Sequence, residues 1–113
     1  MSAVPDAVSV EEFRRLVLRV GVITAAADHP NADRLLVLTV DLGEGASRQL
    51  VAGIKGSYQA PELVGKSVVV AANLKPALLR GVESQGMVLA ASDGSTIVLV
   101  SPERTIRAGS LVK

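Results

Sequence analysis

Val17-Leu18-Arg19-Val20-Gly21-Val22-Ile23-Thr24-Ala25-Ala26 carries a period of two, with Val17, Arg19, Gly21 and Ile23 alternating against Leu18, Val20 and Val22. Dense β-branching at this period predicts a strand running to about Ala26, not a helix. Just upstream, Ser9 is followed three positions later by Glu12, a capping-box pattern that predicts a short helix from Val10 to about Leu16. Residues 1–8 read as a loose leader. Just downstream, Asp28-His29-Pro30-Asn31-Ala32-Asp33 is all turn chemistry, with Pro30 holding His29 extended.

Further along, Leu35 to Leu42 is expected as a second strand, broken by Gly43 and Gly45, and Arg48 to Gly53 as a third. Ser57 to Gly65 contains Pro61 and reads as loop plus one helical turn. Ser67 to Leu74, with Val68, Val69 and Val70 in succession, reads as a buried strand. Lys75 to Gln85 is loop-like, punctuated by Gly81 and Gly86. Met87 to Ala91 forms another strand, Asp93-Gly94 a hairpin turn into Thr96 to Val100, and Ser110 to Val112 a last strand after Arg107-Ala108-Gly109. The pattern is all-β: six to seven short strands, one small helix and no internal repeat. Five strands can close into a Greek-key barrel of the oligonucleotide/oligosaccharide-binding kind (the OB-fold), the extra C-terminal strands adding a layer. A β-sandwich is the competing architecture.

The 113 residues make a single domain, and 49% apolar with 20% charged residues exclude a disordered tail. Twelve basic against eleven acidic residues give a formal charge of +1, so no uniformly basic coat is present. With no cysteine, disulfide scaffolds, thiolate zinc sites and thiol nucleophiles are excluded. A single histidine, His29, argues against multi-histidine metal sites and most histidine-based catalysis. No aliphatic run approaches the ~20 residues that span a bilayer. The N-terminus lacks a basic start and apolar stretch, so the expectation is a cytoplasmic protein without a membrane partner. The mean hydropathy of +0.40 is high for so small a chain and points to self-association.

Three apparent motifs dissolve on inspection. Ala60-Pro61-Glu62-Leu63-Val64-Gly65-Lys66-Ser67 mimics a phosphate loop, but Pro61 has no N–H and valine-rich strand, not helix, follows Lys66. Glu83-Ser84-Gln85-Gly86 lacks the glycine of a nucleophile elbow, since Val82 stands there. His29 with Asp28 and Asp33 reads as a turn histidine, not a metal site. No catalytic residue, cofactor or metal is expected.

The remaining constellation is basic. Asn73, Lys75, Arg80, Ser84 and Gln85 fall in one region between two apolar strands, with Arg34 and Lys55 able to join them if a barrel closes. From Gly45 to Ala91 five basic residues face two acids, whereas the first 44 residues hold seven acids against four arginines. Near-neutrality therefore hides a separation along the chain. Aromatics are limited to Phe13 and Tyr58, so base stacking cannot dominate, and a nucleic acid would be held by phosphate and shape.

Val20-Gly21-Val22-Ile23 followed by His29-Pro30-Asn31-Ala32-Asp33-Arg34-Leu35-Leu36-Val37-Leu38 resembles the opening of the tRNA-binding domain family. Arg48 to Ile54, Pro61 to Lys66, Ala72-Asn73-Leu74-Lys75-Pro76 and Arg80-Gly81-Val82-Glu83-Ser84-Gln85-Gly86-Met87 continue the resemblance in order. That family occurs as a free-standing bacterial protein, at the C-terminus of bacterial methionyl-tRNA synthetase and in phenylalanyl-tRNA synthetase. The resemblance implies an OB-fold that binds tRNA by shape without catalysis, as a homodimer, and that assists an aminoacyl-tRNA synthetase in cis or in trans. Residues 92–113 would supply the dimer contact. Asn31, Arg34, Asn73, Lys75, Arg80, Ser84, Gln85 and Met87 match family positions that contact tRNA, and Lys55 joins them by charge. Two departures stand out: Leu78 replaces a common lysine, and Arg34 replaces lysine with the charge kept. A related dimeric barrel family binds peptides, so a secretion-type chaperone or protein-interaction module is the alternative. The start at Met1 and the brief leader point to an independent gene product.

Overall fold

The computed structural model describes residues 6–113, so most of the expected leader, Met1 to Pro5, lies outside the described residues. Helix α1 (Val10–Phe13) starts as its capping box dictates. The Glu12 N–H donates to Ser9 Oγ at 3.0 Å, and the Ser9 N–H to Glu12 Oε1 at 2.9 Å. Beyond Phe13 the expected helix tightens into three-residue turns, Arg15 N to Glu12 O and Leu16 N to Phe13 O.

The barrel is laid out by β1 (Leu18–Asp28), β2 (Leu36–Asp41), β3 (Arg48–Ala52), β4 (Ser67–Ala71) and β7 (Met87–Val88), in the sheet order β3-β2-β1-β4-β7. Helix α2 (Ala60–Leu63), opened by Pro61, packs against β1 and seats Leu63 in the core. Strand β1 serves both halves of the barrel because it bends. Its first five residues pair with β4, from Leu18↔Ala71 to Val22↔Ser67, while Val22 to Asp28 pair with β2. The register slips between Ile23 and Ala25, leaving Thr24 as the extra residue of a bulge. Ile23 is then free to bond the turn after α2, donating to Lys66 O and accepting from the Gly65 N–H. Period-two alternation fills the interior: Leu36, Leu38 and Val40 of β2 point in, with Val37 and Thr39 half-buried between them. Ile23, Leu42, Leu50, Leu63, Val68 and Val70 complete a core in which each side chain contributes about 2 kcal/mol of transfer energy.

Closure occurs along the seam between β3 and the turn that follows β6 (Val82–Ser84). Gln85 donates its N–H to Gln49 O at 2.8 Å, and its side-chain Oε1 accepts from the Gln49 N–H at 3.0 Å. Gln49 Nε2 donates to Glu83 O, while the Val51 N–H finds Ser84 Oγ at 2.9 Å. Ser84 passes its own hydroxyl proton to Gly86 O at 2.8 Å. Arg48 Nη1 ties the same seam to Ala72 O and Gln85 O, its other nitrogens gripping Glu44. Gly86, at φ +140°, is required there: a Cβ would stand 2.9 Å from Ala71 O.

Two expectations change. Lys75 to Gln85 is not a plain loop: it holds a hairpin of β5 (Ala77–Leu79) and β6 across the Arg80-Gly81 turn. Three-residue strands, Ala-Leu-Leu and Val-Glu-Ser, are too short to display a period. The expected strand from Met87 to Ala91 divides at Leu89 into β7, paired with β4, and β8 (Ala90–Ser92), paired with β9 (Ile97–Leu99). The Asp93-Gly94 turn between them is as expected. Asp93 accepts from the N–H groups of Ser95 and Thr96, which holds its carboxyl below the ordinary carboxylate range. Strand β10 (Leu111–Val112) returns to pair with Leu18 and Arg19. These C-terminal segments form the outer layer, burying Leu18, Val69 and Ala71 beneath Leu89 and Val112. No helix among the described residues is long and apolar enough to cross a membrane.

Removing the Ser84 hydroxyl strands the buried Val51 N–H. Ser84→Ala is expected to lose about 1–3 kcal/mol in chemical denaturation, with the α1 cap unaffected.

Candidate nucleic-acid interface

The loop from β1 to β2 is shaped by its turn residues. The His29 N–H donates to Leu35 O at 3.1 Å, closing the loop, and the Asn31 N–H donates to His29 Nδ1 at 2.9 Å. His29 itself is only 5% exposed, and its Nε2 donates to Leu79 O at 2.9 Å, on the neighbouring hairpin. Because Nδ1 accepts, the ring proton sits on Nε2. The sequence showed only a turn histidine; its reach to Leu79 depends on a hairpin that the sequence did not reveal.

At the hairpin tip Arg80 has φ +53° and Gly81 φ +90°, the paired positive values of a type I′ turn. Arg80 is the only non-glycine residue with positive φ among the described residues. Asn or Gly suits that position better than Arg, so backbone strain holds a guanidinium where the local turn does not ask for one. Arg80, Asn31 and Arg34 line one cleft of about 390 Å³ with Ala32, Asp33 and Leu35. Two guanidiniums against the single carboxylate of Asp33 leave this cleft cationic.

Lys55 abuts it. Its N–H donates to Arg34 O at 3.3 Å, while its Nζ pairs with Asp28 at 3.2 Å, an exposed ion pair of small energetic consequence. Lys75 lies elsewhere. Ala71 stands opposite Leu18 at the start of β1, whereas Asp28 and the cleft stand at its far end. Lys75 and Arg80 lie five residues apart on the segment that carries β5, at most roughly 16 Å at the rise of a strand. Leu74 and Pro76, flanking Lys75, line a second cleft of about 440 Å³ with Arg48 and Gln85. The basic residues therefore follow a stripe, from the cleft of Arg34 and Arg80 along the hairpin to Lys75 beside the second cleft.

Three expected RNA contacts have internal partners. Ser84 is 3% exposed and fully engaged at the seam. The side-chain oxygen of Gln85 is bonded to Gln49. Asn73 accepts from the Val17 N–H at 2.8 Å and donates to Arg15 O at 2.7 Å, fastening α1 to the barrel. Short polar side chains beside strand ends serve backbone groups first, a use that spacing alone does not reveal. Met87 is exposed and, with Leu79, Ile54, Leu89 and Ile97, lines an apolar groove of about 450 Å³. Leu78, 74% exposed, leaves a bare apolar side chain on the stripe.

A nearly closed, all-β barrel with a cleft lined by Arg34 and Arg80 defines an OB-like module. Comparison with known proteins makes this specific. Residues 18–111 match the family model described as "Putative tRNA binding domain". The chain is 54% identical over 106 residues to a methionine–tRNA ligase of Thermococcus kodakarensis and 52% identical to that of Pyrococcus furiosus, in each case covering 94% of this chain. It spans only 14% of the length of those relatives. Among solved structures, a methionyl-tRNA synthetase related protein from Pyrococcus horikoshii superposes with a TM-score of 0.88 at 31% identity, over 96% of this chain and 99% of that one. The chaperone CsaA from Bacillus anthracis superposes with a TM-score of 0.87 at 28% identity, over 96% and 100%. The chain belongs to the tRNA-binding domain family.

Proposed function

We propose that this chain is a non-catalytic, homodimeric module that binds tRNA by shape and, alone or joined to it, serves an aminoacyl-tRNA synthetase in the cytoplasm. The observation that carries the reading is the cleft pairing Arg34 with Arg80, the latter held in a strained turn. Arg34, Arg80 and Lys75 supply phosphate contacts, Asn31 and Met87 border the bound backbone, and Lys55 adds charge. Asn73, Ser84 and Gln85 hold these groups in place. With three phosphates neutralised per protomer, log affinity is expected to fall against log salt with a slope of about −3. Arg80→Asn suits the type I′ turn and deletes the charge. It is expected to lower tRNA affinity and reduce the slope by about one while leaving thermal stability equal or higher, measured by filter binding and calorimetry. Lys75→Ala is expected to act likewise on binding. Unaltered binding by both variants removes the assignment.

The surface offered for the proposed second copy is the C-terminal layer. Phe13, Leu16, Val17, Leu111 and Val112 surround a shallow apolar depression, and Leu111 is 55% exposed. Light scattering at micromolar concentration is expected to give two copies, and Leu111→Glu to give one.

The apolar groove at Met87, together with the likeness to a chaperone, favours one alternative: binding of extended polypeptide. Titration with bulk tRNA and with an unfolded polypeptide at two salt concentrations separates the readings. A salt-sensitive tRNA shift is expected; salt-tolerant polypeptide binding without a tRNA shift favours the chaperone.

A further inference from the structure

We infer that His29 is the positioning residue that couples the two arginines of the cleft, an inference that rests on the cleft being the RNA site. Arg34 and Arg80 belong to elements with no backbone ladder between them: the loop joining β1 to β2, and the β5–β6 hairpin. The hairpin forms a two-stranded sheet of its own, fastened to β3 at its base through Glu83 and Ser84, so its tip needs a further tether if Arg80 is to keep a fixed distance from Arg34. His29 is that tether. Its Nδ1 takes the N–H of Asn31, three residues before Arg34, and its Nε2 gives its proton to Leu79 O, one residue before Arg80. Burial of the ring shields the histidine end of both bonds from water, and the planar ring fixes the spacing between loop and hairpin. Two guanidiniums held at a set separation bind adjacent phosphates without first losing the freedom of a swinging hairpin.

The two ring nitrogens can be tested separately. In His29→Asn the side-chain oxygen still reaches the Asn31 N–H, as in an Asx turn, but the bond to Leu79 is lost. In His29→Gln the longer amide restores a donor at the Nε2 position. Amide hydrogen exchange is read at hairpin residues 79–84, with Val70 as the core reference, and tRNA affinity is read alongside. The expected result is exchange about tenfold faster at the hairpin alone, and affinity about tenfold weaker, in His29→Asn, with both restored towards wild type in His29→Gln. Unchanged hairpin exchange in His29→Asn, identical behaviour of the two variants, or faster exchange at Val70 to the same degree overturns the inference. If the wild-type protein fails to bind tRNA while hairpin exchange follows the expected pattern, the RNA reading falls and the tether stands.

Discussion

Everything on the surface of this barrel depends on how its last seam is sealed. Strands β1 to β4 and β7 satisfy one another by backbone ladders, but β3 has no such partner on its outer edge. Ser84 and Gln85 fill that gap with side-chain oxygens, presenting acceptors to Val51 and Gln49 where a strand would present carbonyls. Such a seam costs no additional strand, and it ties the base of the preceding hairpin to β3 through Glu83 and Ser84. An open edge here would expose unpaired N–H groups of β3 and leave the core accessible to water. Arg48 reinforces the closure from one end by joining Ala72 and Gln85, which explains why one of the five basic residues of this region serves the fold and not the surface.

Electrostatics and strain converge on the opposite end. The proposed binding of a polyanion by a chain with so little net charge requires its cations to be concentrated locally. The chain does this by setting Arg34 beside Arg80 and by tolerating a left-handed arginine at the hairpin tip. Scarcity of aromatic side chains suits the same design. Tyr58 is half-buried and its hydroxyl oxygen accepts from the Leu99 N–H at 3.0 Å, so it is no platform for a base. Grip through phosphate spacing is the remaining physical route to affinity.

Much was legible beforehand. The alternation in Val17 to Ala26, the capping box at Ser9 and Glu12, the Asp93-Gly94 turn and the valine run at Val68 to Val70 each specify their own local structure through short-range sterics and hydrogen bonding. Hence the all-β class, the principal strands and the short helix followed from the chain alone, and the ordered motifs led to the family. The β5–β6 hairpin was hidden because Ala77, Leu78 and Leu79 carry no polar alternation.

Residue composition and spacing determined that this is a small, cysteine-free, all-β domain with its cations gathered in the middle of the chain. Only the tertiary structure decided which polar groups remain available. Asn73, Ser84 and Gln85 are engaged by backbone groups at Val17, Val51 and Gln49, because leaving those groups unpaired costs more than a free amide or hydroxyl gains in water. Arg34 and Arg80, 46 positions apart in sequence, became neighbours because a buried histidine bridges loop and hairpin, and Lys75 was left at the far end by the length of a strand. Such relations depend on closure of the barrel, a long-range event that no local pattern encodes.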